Sequence, residues 1–129
     1  MAGGLFVWNG GSLPSPTASV VPDNLIRVSL PKPGDTIKSP VHIEGEARGN
    51  WYFEASFPAE IIDADGKQLG IMPVQATADW MTAEFVPFKA DFIFQSPTTE
   101  TGFLILRKDN PSGLPEYDDE RRIPVKFNP

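Results

Sequence analysis

The stretch Ile37–Phe57 constrains the fold of this chain more than any other part of the sequence. Apolar and polar residues alternate on both sides of the break Arg48-Gly49-Asn50. Alternation with a period of two is typical of β-strands that have one face in a core and the other in water. The pattern predicts two strands, about Val41–Ala47 and about Trp51–Phe57, and the second continues past Pro58 towards Ile62. Two such strands favour a small antiparallel sandwich.

The same reasoning predicts five further strands, separated by turns rich in glycine and proline. They begin near Leu25 and cover about 26–30, 67–76, 85–95, 102–107 and 123–127. Asp65-Gly66 lies between two of them and is typical of a type I′ hairpin turn. The segment Thr77–Glu84 is compatible with one helical turn or with an ordered loop. Seven strands at these spacings predict an all-β, immunoglobulin-like antiparallel β-sandwich.

Inward positions of these strands give a predicted core. Trp51 or Phe53 is expected to fill its central aromatic position, and the unbroken apolar run Phe103–Leu106 predicts a central strand covered on both sides. The predicted core comprises Ile26, Val28, Val41, Ile43, Phe53, Phe92, Leu104, Leu106, Val125 and Phe127.

Composition excludes several classes of function. The chain has 129 residues, enough for one domain, and it has no cysteine, which excludes thiol catalysis, zinc–thiolate sites and redox switching. Its net charge is −6, and no basic run could neutralise a phosphate backbone, so nucleic acid is not an expected partner.

The first 24 residues differ in composition from the rest. Ala2–Trp8 is short and apolar and ends in tryptophan, and a Gly/Ser/Pro/Thr linker follows at about Asn9–Asn24. Tryptophan favours the lipid–water interface. We therefore expect residues 1–24 to be the remnant of an N-terminal membrane anchor plus a flexible linker, with the folded domain at 25–129. The alternative is an expression scar or a floppy tail.

An ordered set of segments resembles the Gmad2 family, the immunoglobulin-like domain of bacterial spore germination proteins. The likeness runs from about Leu25 to Phe127. It is carried by Ile26-Arg27-Val28, Pro31-Lys32-Pro33-Gly34, Ser39–Ala47, Trp51–Phe57, Asp65-Gly66, Leu69-Gly70, Gly102–Leu106, Asn110–Gly113 and Ile123-Pro124-Val125.

The resemblance implies an extracytoplasmic module on membrane-anchored or lipoprotein chains, often beside a second domain called GerMN. It implies no catalysis and no cofactor, and it supplies no functional residue to carry over. These 129 residues contain no segment that resembles GerMN, and modules of this family also occur in bacteria that make no spores.

The residues themselves predict no catalytic or metal site. His42 is the only histidine, it falls on the outward face of its strand, and no Gly-x-Ser-x-Gly elbow accompanies it. Asp63 and Asp65 are explained by the hairpin turn, since the later glutamate of a calcium loop is missing. Asp118–Glu120 are expected to lie in a solvated loop. An enzyme is the least favoured class.

The binding candidates are Trp51, Tyr52, Trp80 and Met81. Tyr52 should point away from the core if Phe53 points inward, and exposed aromatic residues are enriched at interface hot spots. Trp80 has a competing interpretation, as a lid that closes one end of the sandwich.

The sequence therefore predicts a non-catalytic binding or scaffolding module of the cell envelope, whose partner is an envelope protein or a cell-wall polymer. Two alternatives remain. One is a carbohydrate- or peptidoglycan-binding module that uses exposed Trp and Tyr. The other is a protease-inhibitor-like sandwich that uses the loops Arg48–Asn50, Thr77–Glu84 and Asp109–Glu120.

Overall fold

The computed structural model describes residues 24–127, which form an all-β domain. The predicted anchor remnant and most of the predicted linker lie outside these described residues. Eight strands are present rather than seven, because a two-residue strand follows the first turn. They are β1 (Ile26–Leu30), β2 (Thr36–Ile37), β3 (Val41–Arg48), β4 (Ser56–Asp63), β5 (Gln68–Ala76), β6 (Phe85–Phe92), β7 (Thr101–Arg107) and β8 (Glu120–Phe127).

The strands form one curled sheet in the order β1-β3-β6-β5-β4-β7-β8-β2. All neighbours are antiparallel except β2 and β8, which are parallel. Only two residue pairs join β5 to β6, so the sheet turns over at this short junction and its two halves face each other. Phe57 of β4 contacts Phe88 of β6 across the interior, with ring centroids 5.1 Å apart. The predicted immunoglobulin-like sandwich is thus confirmed.

The inward side chains of both halves form one hydrophobic core. All the predicted core residues are buried except two. Val28 packs against the core while only partly buried, and Phe53 is exposed. The predicted central strand is β7, which lies between β4 and β8. On its outer face Ile105 is buried, whereas Phe103 is partly exposed, so that face is covered only in part.

The predicted third strand, Trp51–Phe57, is wrong in its first half. Gly49–Trp51 form a single 3-10 turn, and β4 begins only at Ser56. Between them Glu54 and Ala55 have φ values of +51° and +68°. Two hydrogen bonds close this tight turn, from Phe53 N–H to Ser56 O (2.9 Å) and from Ser56 N–H to Phe53 O (3.2 Å).

Because the chain reverses here, the alternation extrapolated back from β4 assigns the wrong faces to Tyr52 and Phe53. Trp51 is 1 % exposed and supplies the expected central aromatic side chain. Tyr52 is 3 % exposed, so the prediction that it points away from the core is wrong. Its hydroxyl donates a hydrogen bond of 2.6 Å to the Val86 carbonyl, which satisfies the polar end of a buried ring.

Candidate functional site

Three connections meet at the end of the sandwich where β1 begins, and we call this region the loop end. They are Arg48–Ala55, Thr77–Glu84 and Lys108–Asp119. Backbone hydrogen bonds tie the first connection to the other two, from Gly49 N–H to Glu84 O (3.1 Å) and from Asp109 N–H to Trp51 O (3.0 Å). The structure therefore brings together the three loops that the sequence offered as a combined binding surface.

A close contact at Gly49 fixes the connection Thr77–Glu84 against the connection Arg48–Ala55. A Cβ atom on Gly49 would lie well inside 3.0 Å of the backbone carbonyl oxygens of Trp80 and Thr82. Only glycine allows the two segments to approach this closely. Thr77–Glu84 contains no helical turn and is an ordered loop, the second of the two predicted possibilities.

Local hydrogen bonds then present Met81 to solvent. The Asp79 carboxylate accepts a hydrogen bond from the Met81 N–H at 3.0 Å. The Thr82 N–H donates to the Trp80 carbonyl at 2.9 Å, which closes a three-residue turn with Met81 at its apex. The Met81 side chain is 74 % exposed. A large apolar side chain is thus held out in water by a defined backbone.

Phe53, Trp80 and Met81 form an exposed group that we call the apolar tip. Phe53 is 41 % exposed, and its ring contacts the Trp80 ring edge to face, with centroids 6.3 Å apart and an interplanar angle of 72°. Trp80 is half-buried and packs against the core with the rest of its indole. It therefore combines the predicted lid with a solvent-facing edge, and its role in binding, like that of Met81, stays a prediction.

Of the other two binding candidates, neither offers a contact surface. Trp51 and Tyr52 are both buried, so they support the loop end from below instead of facing a ligand. The Arg121 guanidinium lies over the Trp51 ring at 5.3 Å, which adds a cation–π contact to that support. Phe53 was not predicted as a binding residue, because a run of alternating residues gave no sign that the chain reverses after it.

The turn beside Phe53 holds its two central residues in an unfavourable conformation. L-residues in the left-handed region cost roughly 1–2 kcal/mol each, and type I′ turns normally use Asn-Gly or Asp-Gly. Here the positions are Glu54 and Ala55. The Ala55 carbonyl accepts a hydrogen bond of 2.8 Å from Ala76 N–H, which helps to hold the turn in place. Backbone strain of this kind is concentrated at functional sites, and it supports the choice of the tip as the candidate site.

The loop end also carries most of the net charge of the chain. Its three connections contain seven acidic residues (Glu54, Asp79, Glu84, Asp109, Glu116, Asp118 and Asp119) and two basic ones (Arg48 and Lys108). The difference is −5, against −6 for the whole chain. Negative charge is therefore concentrated at the loop end, the same end of the domain that carries the apolar tip.

His42 lies on the outer face of β3, as predicted, away from the loop end. Its Nδ1 is 2.8 Å from Asp91 Oδ1 and its Nε2 is 2.5 Å from Glu44 Oε2. Hydrogen bonds to Asp91 and Glu44 raise the pKa of the imidazole, because both carboxylates favour its protonated form. Between 24 and 127 no three His, Cys, Asp or Glu residues are grouped so that they could hold a metal ion.

The Asp63–Lys67 hairpin is confirmed, together with the structural role of Asp63. This carboxylate is buried and accepts hydrogen bonds of 2.9 Å from the N–H groups of Asp65 and Lys67. Asp63 therefore closes the turn from within. Among the residues that the structure describes, no helix is long and apolar enough to cross a membrane.

Comparison with known proteins supports the same fold. The sequence profile of a family described as the immunoglobulin-like domain of bacterial spore germination matches residues 25–114. No curated protein matches the chain. No solved structure matches it either. The matched residues include β1 to β7 and the whole apolar tip. The chain belongs to this family, Gmad2.

Proposed function

We propose that this protein is a non-catalytic binding module of the cell envelope, and that it holds a protein partner through the apolar tip. An immunoglobulin-like domain of this family gives no reason to expect catalysis. The observation that carries the proposal is the exposure of Phe53 and Met81 on two turns that the surrounding structure holds in place.

Three properties of the tip suit a protein partner. Its backbone is tied by hydrogen bonds, so little conformational entropy is lost when a partner binds. Aromatic residues such as Trp80 are enriched among interface hot spots. Met81 adds a flexible and polarisable side chain that adapts to the shape of a facing surface. Together they give a small, preorganised centre around which a larger interface can form.

The tether of the natural protein is part of the proposal. We propose that an N-terminal anchor holds the domain outside the membrane, on the evidence of the composition of Ala2–Trp8 and of the linker at about Asn9–Asn24. Arg48 Nε–H donates a hydrogen bond of 2.9 Å to the Asn24 carbonyl, so the described chain enters at the loop end. For a Gly/Ser-rich chain of about 16 residues, polymer statistics give a root-mean-square span of about 20 Å. The tip would then reach partners close to the membrane surface.

A pull-down compares the tip with another apolar surface of the same domain. The full chain serves as bait for an envelope extract of cells that make it, beside a tip variant (Phe53→Ser/Met81→Ser). The matched control is Ile71→Ser/Phe103→Ser, since both residues are exposed apolar side chains of β5 and β7. We expect one discrete protein to be retained by the native chain and the control, and lost with the tip variant. Equal retention by all three chains would refute the proposal.

The carbohydrate alternative receives less support from the tip geometry. Sugar rings stack on flat aromatic faces, whereas the Phe53 and Trp80 rings meet at 72° and do not form one plane. Purified peptidoglycan serves as a second prey in the same experiment. Retention on peptidoglycan alone, lost with Trp80→Ala, would replace the protein-binding proposal by a wall-binding one. The protease-inhibitor alternative uses the same loop end, and it predicts that the retained protein is a protease.

A further inference from the structure

We infer that the partner segment that occupies the apolar tip is cationic, with Lys or Arg side chains flanking an apolar residue. The inference rests on the proposed function and adds the chemistry of the partner. Two observations lead to it. The first is the exposed apolar group at the loop end, and the second is the set of exposed carboxylates outside ion pairs in the loops that carry this group.

The acidic residues nearest the tip in the sequence are exposed. Glu54 follows Phe53 directly, Asp79 precedes Trp80, and Glu84 ends the same loop. Within residues 24–127 none of these three carboxylates lies in an ion pair. Their charges are therefore directed to solvent beside an apolar surface, which is the arrangement that a cationic and apolar partner segment complements.

The two basic residues of the loop end offset this field only in part. Arg48 donates hydrogen bonds to the backbone carbonyls of Asn24 and Ala83, and its guanidinium lies over the Phe85 ring at 4.0 Å. The Arg48 guanidinium is thus held by contacts within the domain. In this region only Asp119 is paired, with Arg121 of β8 at 2.6 Å. Six carboxylates and Lys108 remain outside ion pairs among the described residues of the three connections.

The same charges argue against a lipid surface as the occupant. Anionic lipid headgroups and the acidic loop end are both negatively charged. Like charges in contact oppose association. A protein segment with positive charge gains from the field twice: it is steered towards the tip during encounter, and it neutralises the rim once bound. This makes binding dependent on ionic strength.

Labelled peptides of about twelve residues test the inference by fluorescence anisotropy with the full chain. One peptide alternates Lys and Leu, the second has Glu in place of Lys, and the third has Ser in place of Leu. We expect the Lys/Leu peptide to bind at least about tenfold more tightly than either of the others at about 50 mM salt, and to lose about tenfold by about 500 mM.

Two charge-reversal variants locate the effect. Glu54→Lys/Glu84→Lys and Asp65→Lys/Glu100→Lys each change the net charge from −6 to −2, because each replacement adds two charges. Asp65 and Glu100 are exposed and lie at the opposite end of the sandwich, beside the β4–β5 hairpin and the start of β7. The first variant should weaken binding of the Lys/Leu peptide about tenfold, and the second about threefold or less. If the Glu54→Lys/Glu84→Lys variant does not fold, the milder variant Glu54→Gln/Glu84→Gln replaces it in the same binding measurement.

The outcomes separate the inference from the proposed function. Equal losses with the two charge-reversal variants, or equal affinity for the Lys/Leu and Glu/Leu peptides, would overturn the inference. Binding to anionic vesicles with an affinity above that for the Lys/Leu peptide would do the same. If the partner from the envelope extract is lost with Phe53→Ser/Met81→Ser but not with Glu54→Lys/Glu84→Lys, the proposed function stands and the cationic partner does not.

Discussion

Replacing Gly49 by alanine tests how the loop end is built. The added methyl group would meet the carbonyl oxygens of Trp80 and Thr82 well inside 3.0 Å. Since non-bonded heavy atoms lie about 3.5 Å apart at their optimum, the facing loop must retreat by roughly 1–2 Å. That movement breaks or stretches the hydrogen bond of 3.1 Å from Gly49 N–H to Glu84 O. The effect should therefore reach the apolar tip.

The cost follows from three contributions. Overpacking of this kind costs about 1–3 kcal/mol. The weakened hydrogen bond adds about 1 kcal/mol. Reduced freedom of the unfolded chain offsets about 0.4–1 kcal/mol. The net loss is about 2 kcal/mol, or about 8 °C in Tm for a domain of this size. Thermal unfolding gives the stability, and the indole N–H resonance of Trp80 and the methyl resonance of Met81 report on the tip.

Gly66→Ala is the matched control, because Gly66 has a φ of +85° and no atom within 4 Å of an added Cβ. It should cost about 1 kcal/mol through backbone strain alone and leave both tip resonances in place. If Gly49→Ala costs no more than Gly66→Ala and leaves the tip resonances unmoved, the two segments are not in close contact and the reasoning fails.

Four further predictions concern Tyr52, His42 and Arg107, which support the fold. Tyr52→Phe should cost about 1–2 kcal/mol in urea unfolding, since it removes a buried hydrogen bond to the Val86 carbonyl, and a neutral result would contradict the observed bond. Burial raises the pKa of the Tyr52 phenol well above its usual range, so it should stay protonated in a spectrophotometric titration until the domain unfolds. The two carboxylates beside His42 raise its pKa above 6.5, so its contribution to stability is complete below that value and is lost as pH rises through the folded pKa. The free energy of unfolding of the native protein should be lower at about pH 8 than at about pH 6. His42→Gln should remove the part of this difference that comes from the imidazole. Arg107→Leu should cost about 1.5–3 kcal/mol because the Glu60 side chain, 13 % exposed, loses a 2.8 Å charged hydrogen bond, and adding Glu60→Gln should recover part of the loss. A double variant no more stable than Arg107→Leu would contradict this assignment.

The strands were predictable because alternation depends on local geometry alone. Apolar residues at every second position of 41–47 or 123–127 face the core whatever lies across from them. The short strand β2 was not predictable in this way, since Thr36–Ile37 is too short to show alternation and pairs with β8, which is distant in the sequence. The turn before β2 is joined to the same strand by the 2.8 Å hydrogen bond from Gly34 N–H to the Pro124 carbonyl.

The candidate site was predictable only in part. Trp80 and Met81 were chosen because they lie in an irregular segment, and the structure places both at the surface of the loop end. Tyr52 and Phe53 were assigned to the wrong faces, because the turn at Glu54-Ala55 contains none of the residues that normally mark a type I′ turn. The proximity of Phe53 to Trp80 depends on tertiary contacts that no local pattern reveals.

Photo-crosslinking in cells that make the protein tests the central claim most directly. A photoreactive amino acid is placed at position 81 in one chain and at position 71 in another, since Met81 and Ile71 are both exposed but lie on different surfaces. We predict one discrete protein adduct from position 81, absent from position 71 and lost when Phe53→Ser is added. An adduct that forms from position 71 and not from position 81 would contradict the account and move the interface to the outer face of β5.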